Sequence, residues 1–497
     1  MKLSALLMPD EYSSSVDPEN IEITGIAVSG SALFRGCLFI CIRGTRYDSH
    51  NLLTLAAKSG AAAALVEDST AIATPEGLPL FTVGSTRRAM AYAYHRFYGE
   101  PGNAMRLIAV TGTNGKTSTA TMLYTILQKA GRKVAMIGTV ACKSEEKLYS
   151  PDIRTEPRRT MTTPDPDILY PMLADMRKDG VEFVVMETSS HALALEKLAP
   201  LRFEIGIFTN LSPEHLDFHG NMENYLAAKA RLFSQCNCGI INFDNEYADR
   251  LEKQAKCEIL RCGAVYHEQY NAEEIVNRGA FGVSYLYSTP TVRMSVSVPI
   301  PGSFTVYNSL LALTAAIRLG ISPTDAKDAL ATMPSVPGRL ERIPLPETVD
   351  FSVFIDYAHT EAALRNILLT VCNFRQGGQR IVLVFGCGGD RDAGKRAPMG
   401  RVAEEMADYI IVTSDNNRSE DPTVIIHDIL LGMHNRKKRR VIVNRRRAIE
   451  YAIQQAQPGD IVLLVGKGHE NYELSNGERN PFSERTIVEE AVKARFH

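Results

Sequence analysis

A short loop with two glycines, followed at once by a lysine and a threonine, is the first place in this sequence where chemistry is expected. It lies in LIAVTGTNGKTST, residues 107–119, where an apolar run gives way to a helix-like segment. Such a loop aims backbone N–H groups and a helix N-terminus at one point, which suits the phosphates of ATP. The lysine would reach the terminal phosphates and the threonine hydroxyl a magnesium ion. The candidate residues are Gly112, Thr113, Asn114, Gly115, Lys116, Thr117 and Ser118.

The spacing within this loop departs from that of the usual P-loop, which has more residues between its glycines. Gly112 and Gly115 enclose only Thr113 and Asn114. A glycine turn without chemical importance is therefore the alternative interpretation. The strand-like run before the loop and the Lys-Thr pair after it favour phosphate binding.

An acidic residue must help to hold the metal ion of ATP. Glu187 ends the strand-like segment FVVME, and α/β folds gather their ligands at the carboxyl ends of strands. His215 and His219 have the spacing of a zinc site, but Leu216 stands where a zinc protease needs glutamate. We therefore take His215 as a magnesium-site candidate, with hydrogen-bonded structure as the alternative. Spacing alone makes Lys229, in NYLAAKARLFS, a solvated helix lysine.

Alternating strand-like and helix-like segments predict the sheets that would position these residues. The chain has 497 residues, too many for one hydrophobic core. Its alternation is typical of α/β architecture with largely parallel sheets. A proline-rich stretch, MPSVPGRLERIPLP at residues 333–346, is typical of a linker. We predict an N-terminal α/β domain (1–103), a central P-loop ATPase-like parallel-sheet domain (104–336) and a C-terminal Rossmann-like domain (337–497).

Composition excludes several classes of protein. With 45% hydrophobic residues and no apolar run long enough for a membrane span, we expect a cytoplasmic globular protein. The net charge of −2 argues against nucleic-acid binding. The basic segment NRKKRRVIVNRRR, residues 435–447, is interpreted as a solvated rim rather than a nucleic-acid patch. The nine cysteines show no CxxC pair, which favours free thiols over disulfides or zinc.

Several motifs together resemble the Mur ligases of bacterial cell-wall synthesis. They are TGTNGKT, TTP, METSSH, FTNLSPEHLDFHG and YLAAK, in that order along the chain. Four later motifs, DYAHT, GCGGDRDAGKR, SDNNRSEDP and GKGHE, are similar to those of the members that add a diamino acid. The resemblance covers nearly the whole chain, and it is weakest before residue 100.

The resemblance implies a reaction. ATP would phosphorylate the side-chain carboxylate of D-glutamate in UDP-N-acetylmuramoyl-L-alanyl-D-glutamate, and an amine would attack the acyl phosphate to form an amide. Two magnesium ions would assist. The lysine matching Lys229 is carbamylated by carbon dioxide in this family, which reverses the solvated-lysine interpretation. The implied catalytic set is Lys116, Glu187, His215 and Lys229, with Thr117, Glu187, His215 and carbamylated Lys229 as the metal ligands.

The resemblance also assigns substrate contacts. Outside the phosphate loop, those for ATP are Asn308, Arg339, Asp356 and His359, and those for the UDP-sugar are Gly30, Thr162, Thr163, Ser189 and Lys197. Helix capping by Asn308 and a surface ion pair of Arg339 are the alternatives. The ATP site would be shared between domains. Ser29-Gly30-Ser31 replaces the Asp-Ser-Arg of the family, and Lys197 replaces an arginine whose planar fork grips phosphate better.

The acceptor amino acid is the last expectation. Its implied contacts are Arg391, Asp415, Asn416, Asn417, Arg418, Gly466 and Glu470. Arg418 and Glu470 would pair with the distal carboxylate and ammonium of meso-diaminopimelate, whereas L-lysine has no distal carboxylate. Asn417 stands in place of the family's proline and would leave the loop freer. We expect a monomer. Three alternatives remain: the same reaction with L-lysine or another diamino acid, a related ligase of the folylpolyglutamate or natural-product type, and a P-loop ATPase or switch protein.

Overall fold

The computed structural model describes residues 1–8, 11–44, 47–67, 75–149 and 161–496. Two compact units make up the chain, Met1–Tyr270 with Leu311–Ser322, and Asn271–Leu310 with Pro323–His497. Within the described residues, no helix is both long and apolar enough to cross a membrane. The domain boundaries near residues 103 and 336 stay predictions.

A small, mostly parallel sheet opens the first unit. Its strands are β1 (Tyr12–Ser13), β2 (Gly25–Ala27), β3 (Cys37–Ile40), β4 (Ala63–Val66) and β5 (Leu80–Val83), and its helices are α1 (Leu53–Lys58) and α2 (Thr86–Phe97). The strand order is β1-β5-β4-β3-β2, with β1 antiparallel to its neighbour. Every residue of β3 and β4 is buried, because hydrophobic cores lie on both faces of this sheet.

A larger sheet forms the centre of the first unit. Its strands are β6 (Arg106–Thr111), β7 (Val134–Ile137), β8 (Cys142–Lys143), β9 (Phe183–Glu187), β10 (Phe203–Phe208), β11 (Cys236–Asn242) and β12 (Glu258–Gly263). Its helices are α3 (Lys116–Lys129), α4 (Pro166–Lys178), α5 (Ser190–Ala194), α6 (Leu216–His219), α7 (Met222–Ala230) and α8 (Ala248–Glu252). The order is β12-β11-β10-β6-β9-β7-β8, and only β7 and β8 pair antiparallel.

Strand β6 lies between β9 and β10, and this order gathers the candidate residues. Val110 pairs with Glu187, and Thr111 pairs with Phe208. Since these strands are parallel, their carboxyl ends meet at one edge of the sheet. The phosphate loop after β6, the acid that ends β9 and the loop after β10 therefore lie side by side.

An antiparallel meander and two helices follow along the chain. They are β13 (Tyr270–Asn277), β14 (Val283–Ser288), β15 (Arg293–Val298), α9 (Phe304–Arg318) and α10 (Pro323–Ala331). None of these three strands was predicted from the sequence. Their segments carry polar and charged residues at exposed positions and lack the continuous apolar runs of the parallel strands.

The remaining chain forms a third sheet and a hairpin in the second unit. The strands are β16 (Glu341–Arg342), β17 (Ser352–Asp356), β18 (Ile381–Phe385), β19 (Tyr409–Val412), β20 (Arg439–Val441), β21 (Ile461–Val465), β22 (Tyr472–Ser475) and β23 (Glu478–Pro481). The helices are α11 (Glu361–Phe374), α12 (Arg396–Met406), α13 (Pro422–Leu430), α14 (Arg445–Gln455) and α15 (Glu484–Phe496). The sheet order is β16-β17-β21-β18-β19-β20.

Cores on both faces of this third sheet give it a doubly wound arrangement. Helices α11, α12 and α13 cover one face, while α14 and α15 cover the other. The predicted α/β fold class with parallel sheets is confirmed. Two details differ from the expectations. Segment 333–346 is not only a linker, since β16 pairs antiparallel with β17. In the basic segment, the Arg445 side chain is fully buried rather than solvated.

Candidate active site

The phosphate loop is built on two glycines with positive φ. Gly112 has φ 153° and Gly115 has φ 83°. A Cβ at Gly112 would overlap the hydroxyl of Thr209, so the close approach of these two residues requires glycine. The Lys116 ammonium donates to the carbonyls of Gly112 and Thr113, each at 2.8 Å. The loop thus holds a cation beside the N-terminus of α3, as a phosphate site needs.

Two residues at the end of β10 hold the loop in place. Thr209 Oγ1 donates to the carbonyl of Asn114 at 2.6 Å, and Asn210 Nδ2 donates to the same carbonyl at 3.1 Å. In return, the Asn114 N–H donates to Asn210 Oδ1 at 3.0 Å. Neither residue was predicted to belong to the site, although both stand in the motif FTNLSPEHLDFHG. Thr209 and Asn210 directly follow a strand-like segment, and this position is the sequence signal from which they could have been predicted.

Glu187 joins the phosphate loop to the end of β7. Its side chain is fully buried, and Oε2 accepts from Thr117 Oγ1 at 2.9 Å and Thr139 Oγ1 at 3.1 Å. Oε1 accepts from the Thr139 N–H at 2.9 Å. A Cβ at Gly138 would overlap this carboxylate, so glycine is required there too. Carboxylate and hydroxyl oxygens suit magnesium, so the structure brings two predicted ligands together.

Three of the predicted UDP-sugar residues lie at the same edge of the sheet. Thr163 Oγ1 donates to the Glu187 carbonyl at 2.9 Å, and the Ser189 N–H donates to Thr163 Oγ1 at 3.0 Å. The hydroxyls of Thr162 and Thr139 lie 3.0 Å apart. Thr163 is therefore bonded directly to Glu187, while Ser189 and Thr162 are connected to it through Thr163 and Thr139.

The other two predicted UDP-sugar residues lie apart from that set. Lys197 is buried and forms an ion pair with Asp165, with 2.7 Å between Nζ and Oδ1. Gly30 begins a short 3-10 helix, Gly30–Ala32. A Cβ added there would meet Leu52 at 3.4 Å, an ordinary packing distance, so the backbone does not require this glycine. None of the hydrogen bonds between described residues joins Gly30 to the other four.

Lys229 is buried in α7, with only 1% of its surface exposed. Its ammonium lies 4.7 Å from the centroid of the Tyr225 ring. Within the described part of the chain it has no hydrogen bond and no ion pair. Burial lowers the pKa of Lys229 well below its ordinary value, repulsion from Lys116 adds to this, and Glu214 opposes it. The interpretation as a solvated lysine is wrong.

Three histidines cluster near Lys229. His215 is exposed, with φ 55°, and its ring lies 5.0 Å from that of His191. His219 stacks on Tyr225, and its Nε2 lies 2.9 Å from the Ser190 hydroxyl. Burial, with the charges of the other two histidines, lowers the pKa of His191 to about 4. His191 had no assigned role, although it stands in the quoted METSSH motif.

Glu187 and the histidines do not form a metal site by themselves. Among the described residues, no group of three or more His, Cys, Asp or Glu side chains is placed to hold a metal ion. The structure therefore brings Thr117 and Glu187 together but does not complete the predicted ligand set with His215. A further anionic ligand would be needed.

The position of Lys116 leads to a first prediction. We expect Lys116→Ala to raise the barrier to ATP-dependent phosphorylation by about 2.7 to 4 kcal/mol, because it removes the cation predicted to offset charge on the phosphoryl group. ADP release with the carboxylate substrate present measures this. Lys129→Ala, at the exposed C-terminal end of the same helix, is the matched control. ADP release by Lys116→Ala equal to that of the control would exclude this role.

Two of the predicted ATP residues in the second unit differ from their alternative interpretations. Asn308 is buried inside α9, several residues from its start, so it does not cap that helix. Arg339 lies over the Tyr357 ring, 5.3 Å from its centroid. Its Nε is buried without a hydrogen-bond partner among the described residues, so it is not in a surface ion pair.

Asp356 is the last residue of β17, and His359 lies three residues after it. The Asp356 carboxylate accepts from the N–H groups of Leu340 at 2.7 Å and Ala358 at 2.8 Å. Burial raises the pKa of Asp356, while Arg339 and these two bonds oppose the shift. Burial also lowers the pKa of His359. Both carboxylate oxygens of Asp356 therefore accept hydrogen bonds from the backbone. Contact with ATP remains a prediction for Asn308, Arg339, Asp356 and His359.

Asn416 is the centre of the predicted amino-acid pocket. Its Nδ2 donates to Glu470 Oε2 at 2.7 Å, and its Oδ1 accepts from Lys467 Nζ at 2.8 Å and the Leu474 N–H at 2.9 Å. The Lys467 side chain is fully buried, 3.8 Å from Asp415 Oδ1. The structure therefore joins the loops after β19 and β21 through one amide. No role was predicted for Lys467, although it stands in the motif GKGHE.

The two carboxyl groups of this pocket have opposite pKa shifts. Burial raises the pKa of Glu470, and Lys467 and Asn416 only partly oppose it. Burial also disfavours ionised Asp415, but Lys467 and Arg445 outweigh it and lower the pKa of that carboxyl group. Asp415 therefore already has its cations, whereas Glu470 would gain from another cation, such as an ammonium group.

Arg418 has a left-handed backbone, with φ 52°. Its Nη1 donates to the carbonyl of Gly389 at 2.7 Å. Its own N–H donates to the Leu474 carbonyl at 3.0 Å, and its carbonyl accepts from the Asn476 N–H at 2.6 Å. A Cβ at Gly389 would overlap the Asn417 carbonyl, so this close approach requires glycine. Side chain and backbone of Arg418 are thus both held.

The remaining predicted acceptor contacts differ in how firmly they are placed. Asn417 is buried and its Nδ2 donates to the Glu420 carbonyl at 2.9 Å, so this bond restrains the loop in place of a proline ring. Gly466 has φ 120°, and a Cβ there would overlap the Asp415 carboxylate. Arg391 is exposed, and no hydrogen bond between described residues joins it to the pocket.

A buried ion pair stabilises the backbone on which this pocket is built. The side chains of Arg445 and Glu484 are 0% and 1% exposed, with 2.8 Å between Nη2 and Oε1. Arg445 also donates to the carbonyls of Ser414 at 3.1 Å and Val465 at 2.8 Å. These carbonyls directly precede Asp415 and Gly466. The pair therefore fixes the ends of the two strands that carry the pocket.

Comparison with known proteins adds independent findings. Residues 110–316 match the Mur ligase middle domain, and residues 338–468 match the family described as Mur ligase, glutamate ligase domain. The chain is 38% identical to the UDP-N-acetylmuramoyl-L-alanyl-D-glutamate–2,6-diaminopimelate ligase of Syntrophomonas wolfei, over 100% of both chains. It is 37% identical to the ligase of the same name from Clostridioides difficile, over 99% of both.

A solved structure agrees with these sequence matches. A solved structure described as UDP-N-acetylmuramoyl-L-alanyl-D-glutamate–2,6-diaminopimelate ligase superposes with a TM-score of 0.72 at 29% identity. The match covers 100% of this chain and 99% of that one. Sequence and fold thus match over the full length.

Proposed function

The chain belongs to the Mur ligase family of ATP-dependent ligases, and from this we propose that it is of the MurE type. It would join meso-diaminopimelate to UDP-N-acetylmuramoyl-L-alanyl-D-glutamate, with ATP and magnesium, in the synthesis of peptidoglycan precursors. The observation that carries this proposal is the hydrogen-bonded set of Thr117, Glu187 and Thr163 at one edge of the central sheet, next to the loop whose carbonyls hold the Lys116 ammonium.

That cluster supports the first half of the reaction. A carboxylate is a poor electrophile until one oxygen becomes a leaving group, which phosphorylation by ATP provides. The Lys116 ammonium, held by two loop carbonyls, offsets negative charge on the transferring phosphoryl group. Thr117 and Glu187 offer hard oxygen ligands to magnesium, which supplies further charge neutralisation when bound.

Carbamylation of Lys229 belongs to the proposal as well. Carbon dioxide reacts with a neutral amine, and burial beside Lys116 lowers the pKa of Lys229 and so favours that form. The product is an anion, and among the described residues Lys229 has no ion pair that would hold it in the cationic form. A carbamate would therefore relieve the charge repulsion and supply the additional anionic ligand that Glu187 and His215 lack.

The second half of the reaction needs an amine acceptor held at both ends. Arg418 would pair with the distal carboxylate of meso-diaminopimelate through a charge-assisted hydrogen bond. Glu470, whose pKa is raised by burial, would gain from the distal ammonium. Lys467 and Asn416 would position Glu470 for this contact. Lysine offers only the ammonium, so the arginine is the element of this pocket that favours diaminopimelate.

Arg418→Ala tests this acceptor assignment. We expect a loss of about 1.5 to 3 kcal/mol in binding of meso-diaminopimelate, because a charged hydrogen bond is removed. Weak use of L-lysine should change little. Initial rates of amide formation at varied acceptor concentration measure both effects. Arg447→Ala, an exposed arginine on α14, is the matched control.

A competition assay with the unmodified enzyme separates the alternatives. With both amino acids present at equal concentration, preferential incorporation of L-lysine would make the assignment of Arg418 wrong. ATP turnover that is equally fast without any acceptor would instead favour a P-loop ATPase. Rapid transfer to a folate substrate would favour a folylpolyglutamate ligase.

A further inference from the structure

Two cysteines at the start of neighbouring strands have their sulfur atoms in contact. Cys236 is the first residue of β11, Cys257 directly precedes β12, and their Sγ atoms are 3.5 Å apart. The two strands are parallel, with Cys238 opposite Glu258. The sulfur atoms of a disulfide bond are about 2.05 Å apart, so side-chain rotation and a small shift would close this gap.

The surrounding backbone keeps the two thiols together. The Lys256 N–H donates to the Phe233 carbonyl at 3.0 Å, which ties the residue before Cys257 to the segment before Cys236. On the neighbouring strand, a Cβ at Gly206 would lie 3.0 Å from Cys236 Sγ. The contact between the sulfur atoms therefore belongs to the folded sheet and is not a chance meeting of flexible loops.

The two thiols are not equivalent. Cys236 is buried, whereas Cys257 is half-buried. Hydrogen bonding with Cys236 lowers the pKa of Cys257, although burial opposes this, and the same contact with burial raises the pKa of Cys236. The thiolate is the nucleophile in disulfide exchange. Because Cys257 is half-buried and Cys236 is buried, an external disulfide reaches Cys257 first, and Cys236 is placed to resolve the product.

We propose that Cys236 and Cys257 form a reversible disulfide bond by exchange with a low-molecular-weight disulfide. The Cys257 thiolate attacks one sulfur of that oxidant, whose own S–S bond breaks and releases one thiolate. Cys236 then loses its proton to solvent and attacks Cys257 sulfur, releasing the second thiolate. The cysteines together lose two electrons and two protons, and the oxidant is reduced to two thiols.

The pair lies away from the proposed active site. Cys236 and Cys257 stand at the amino ends of β11 and β12, whereas the phosphate loop and Glu187 follow the carboxyl ends of their strands. The disulfide would therefore join two strands without occupying the substrate sites. Disulfides inside cells are usually transient and serve redox chemistry or sensing.

Oxidised glutathione is a suitable probe for the full-length protein. After incubation across a range of glutathione ratios, acid quenching and alkylation, we expect two of the nine thiols to be lost. Intact mass should fall by two hydrogen atoms, and peptide mapping should link the peptides that hold Cys236 and Cys257. Reduction with dithiothreitol should restore both thiols.

Single variants test the assigned order of attack. In Cys236→Ser, one glutathione should remain trapped on Cys257, whereas in Cys257→Ser, Cys236 should stay alkylatable. Cys238→Ser, two residues along β11, should form the disulfide as the unmodified chain does. Persistence of both thiols at every glutathione ratio would overturn the proposal. Linkage that forms only in urea would also overturn it, since the folded contact would then play no part.

Discussion

Lys229→Ala is expected to lose ligase turnover by about 1,000-fold, the upper end of what one charge-stabilising group contributes. The physical reason is the loss of the proposed carbamate, and with it an anionic ligand beside Glu187 and His215. Added acetate or formate should restore part of the activity, because a small carboxylate can enter the space left by the lysine. ADP release and amide formation, with and without the added carboxylate, measure both effects.

The fold should survive this change. Lys229 is buried and forms no hydrogen bond or ion pair with a described residue, so Lys229→Met removes a buried polar group and keeps most of the packing. We expect this variant to be inactive and to unfold in urea at a midpoint no lower than that of the unmodified protein. Lys253→Ala, an exposed lysine after α8, is the control for activity. Unchanged turnover of Lys229→Ala without added carboxylate contradicts the carbamate proposal.

The second large effect is on stability, through the ion pair of Arg445 and Glu484. Glu484→Gln leaves the fully buried guanidinium of Arg445 without its carboxylate. Breaking a buried pair from one side costs about 3 to 5 kcal/mol. The midpoint of the urea transition should fall accordingly. The KM for the acceptor should rise in the same variant, because Arg445 holds the carbonyls that precede Asp415 and Gly466.

The same two helices provide a matched control. Arg446 and Glu490 also join α14 to α15, with 2.8 Å between Nη1 and Oε2, but their side chains are about half exposed. Glu490→Gln should therefore cost only about 0 to 1 kcal/mol. Replacing Arg445 with methionine and Glu484 with leucine together should recover much of the lost stability. An equal fall in the midpoint for Glu490→Gln would show that burial does not decide the effect.

Continuous apolar runs predicted the parallel strands well because buried strands need them on both faces. The phosphate loop and Glu187 could be found from the same pattern, since they follow such runs directly. The strands β13 to β15 were missed because their polar residues hide the alternation. Thr209, Asn210 and Thr139 were missed for another reason. Their contacts depend on which strands are neighbours, and the order of strands is not written in any local segment.

Burial of charged residues was the least predictable property. Local spacing made Lys229 and Arg445 appear solvated, as most lysines and arginines are. Their burial depends on tertiary packing: Lys229 lies in α7 against Tyr225, and Arg445 begins α14 against Glu484 of α15. Only the family resemblance gave a role to Lys229, and nothing local gave one to Arg445. The acceptor loop was likewise predicted by motif, while its anchor Lys467 was not.

The left-handed backbone of Arg418 offers a second way to change which amino acid the pocket accepts. Both backbone groups of Arg418 bond to the hairpin of β22 and β23, through Leu474 and Asn476. The Asn476-Gly477 turn has positive φ at both residues, which fixes the twist of this hairpin. Lengthening or replacing this turn would therefore move the backbone of Arg418 and change the direction of its side chain, while the arginine itself is kept. Acceptor preference in such a chain could diverge through hairpin insertions while every pocket side chain stays the same.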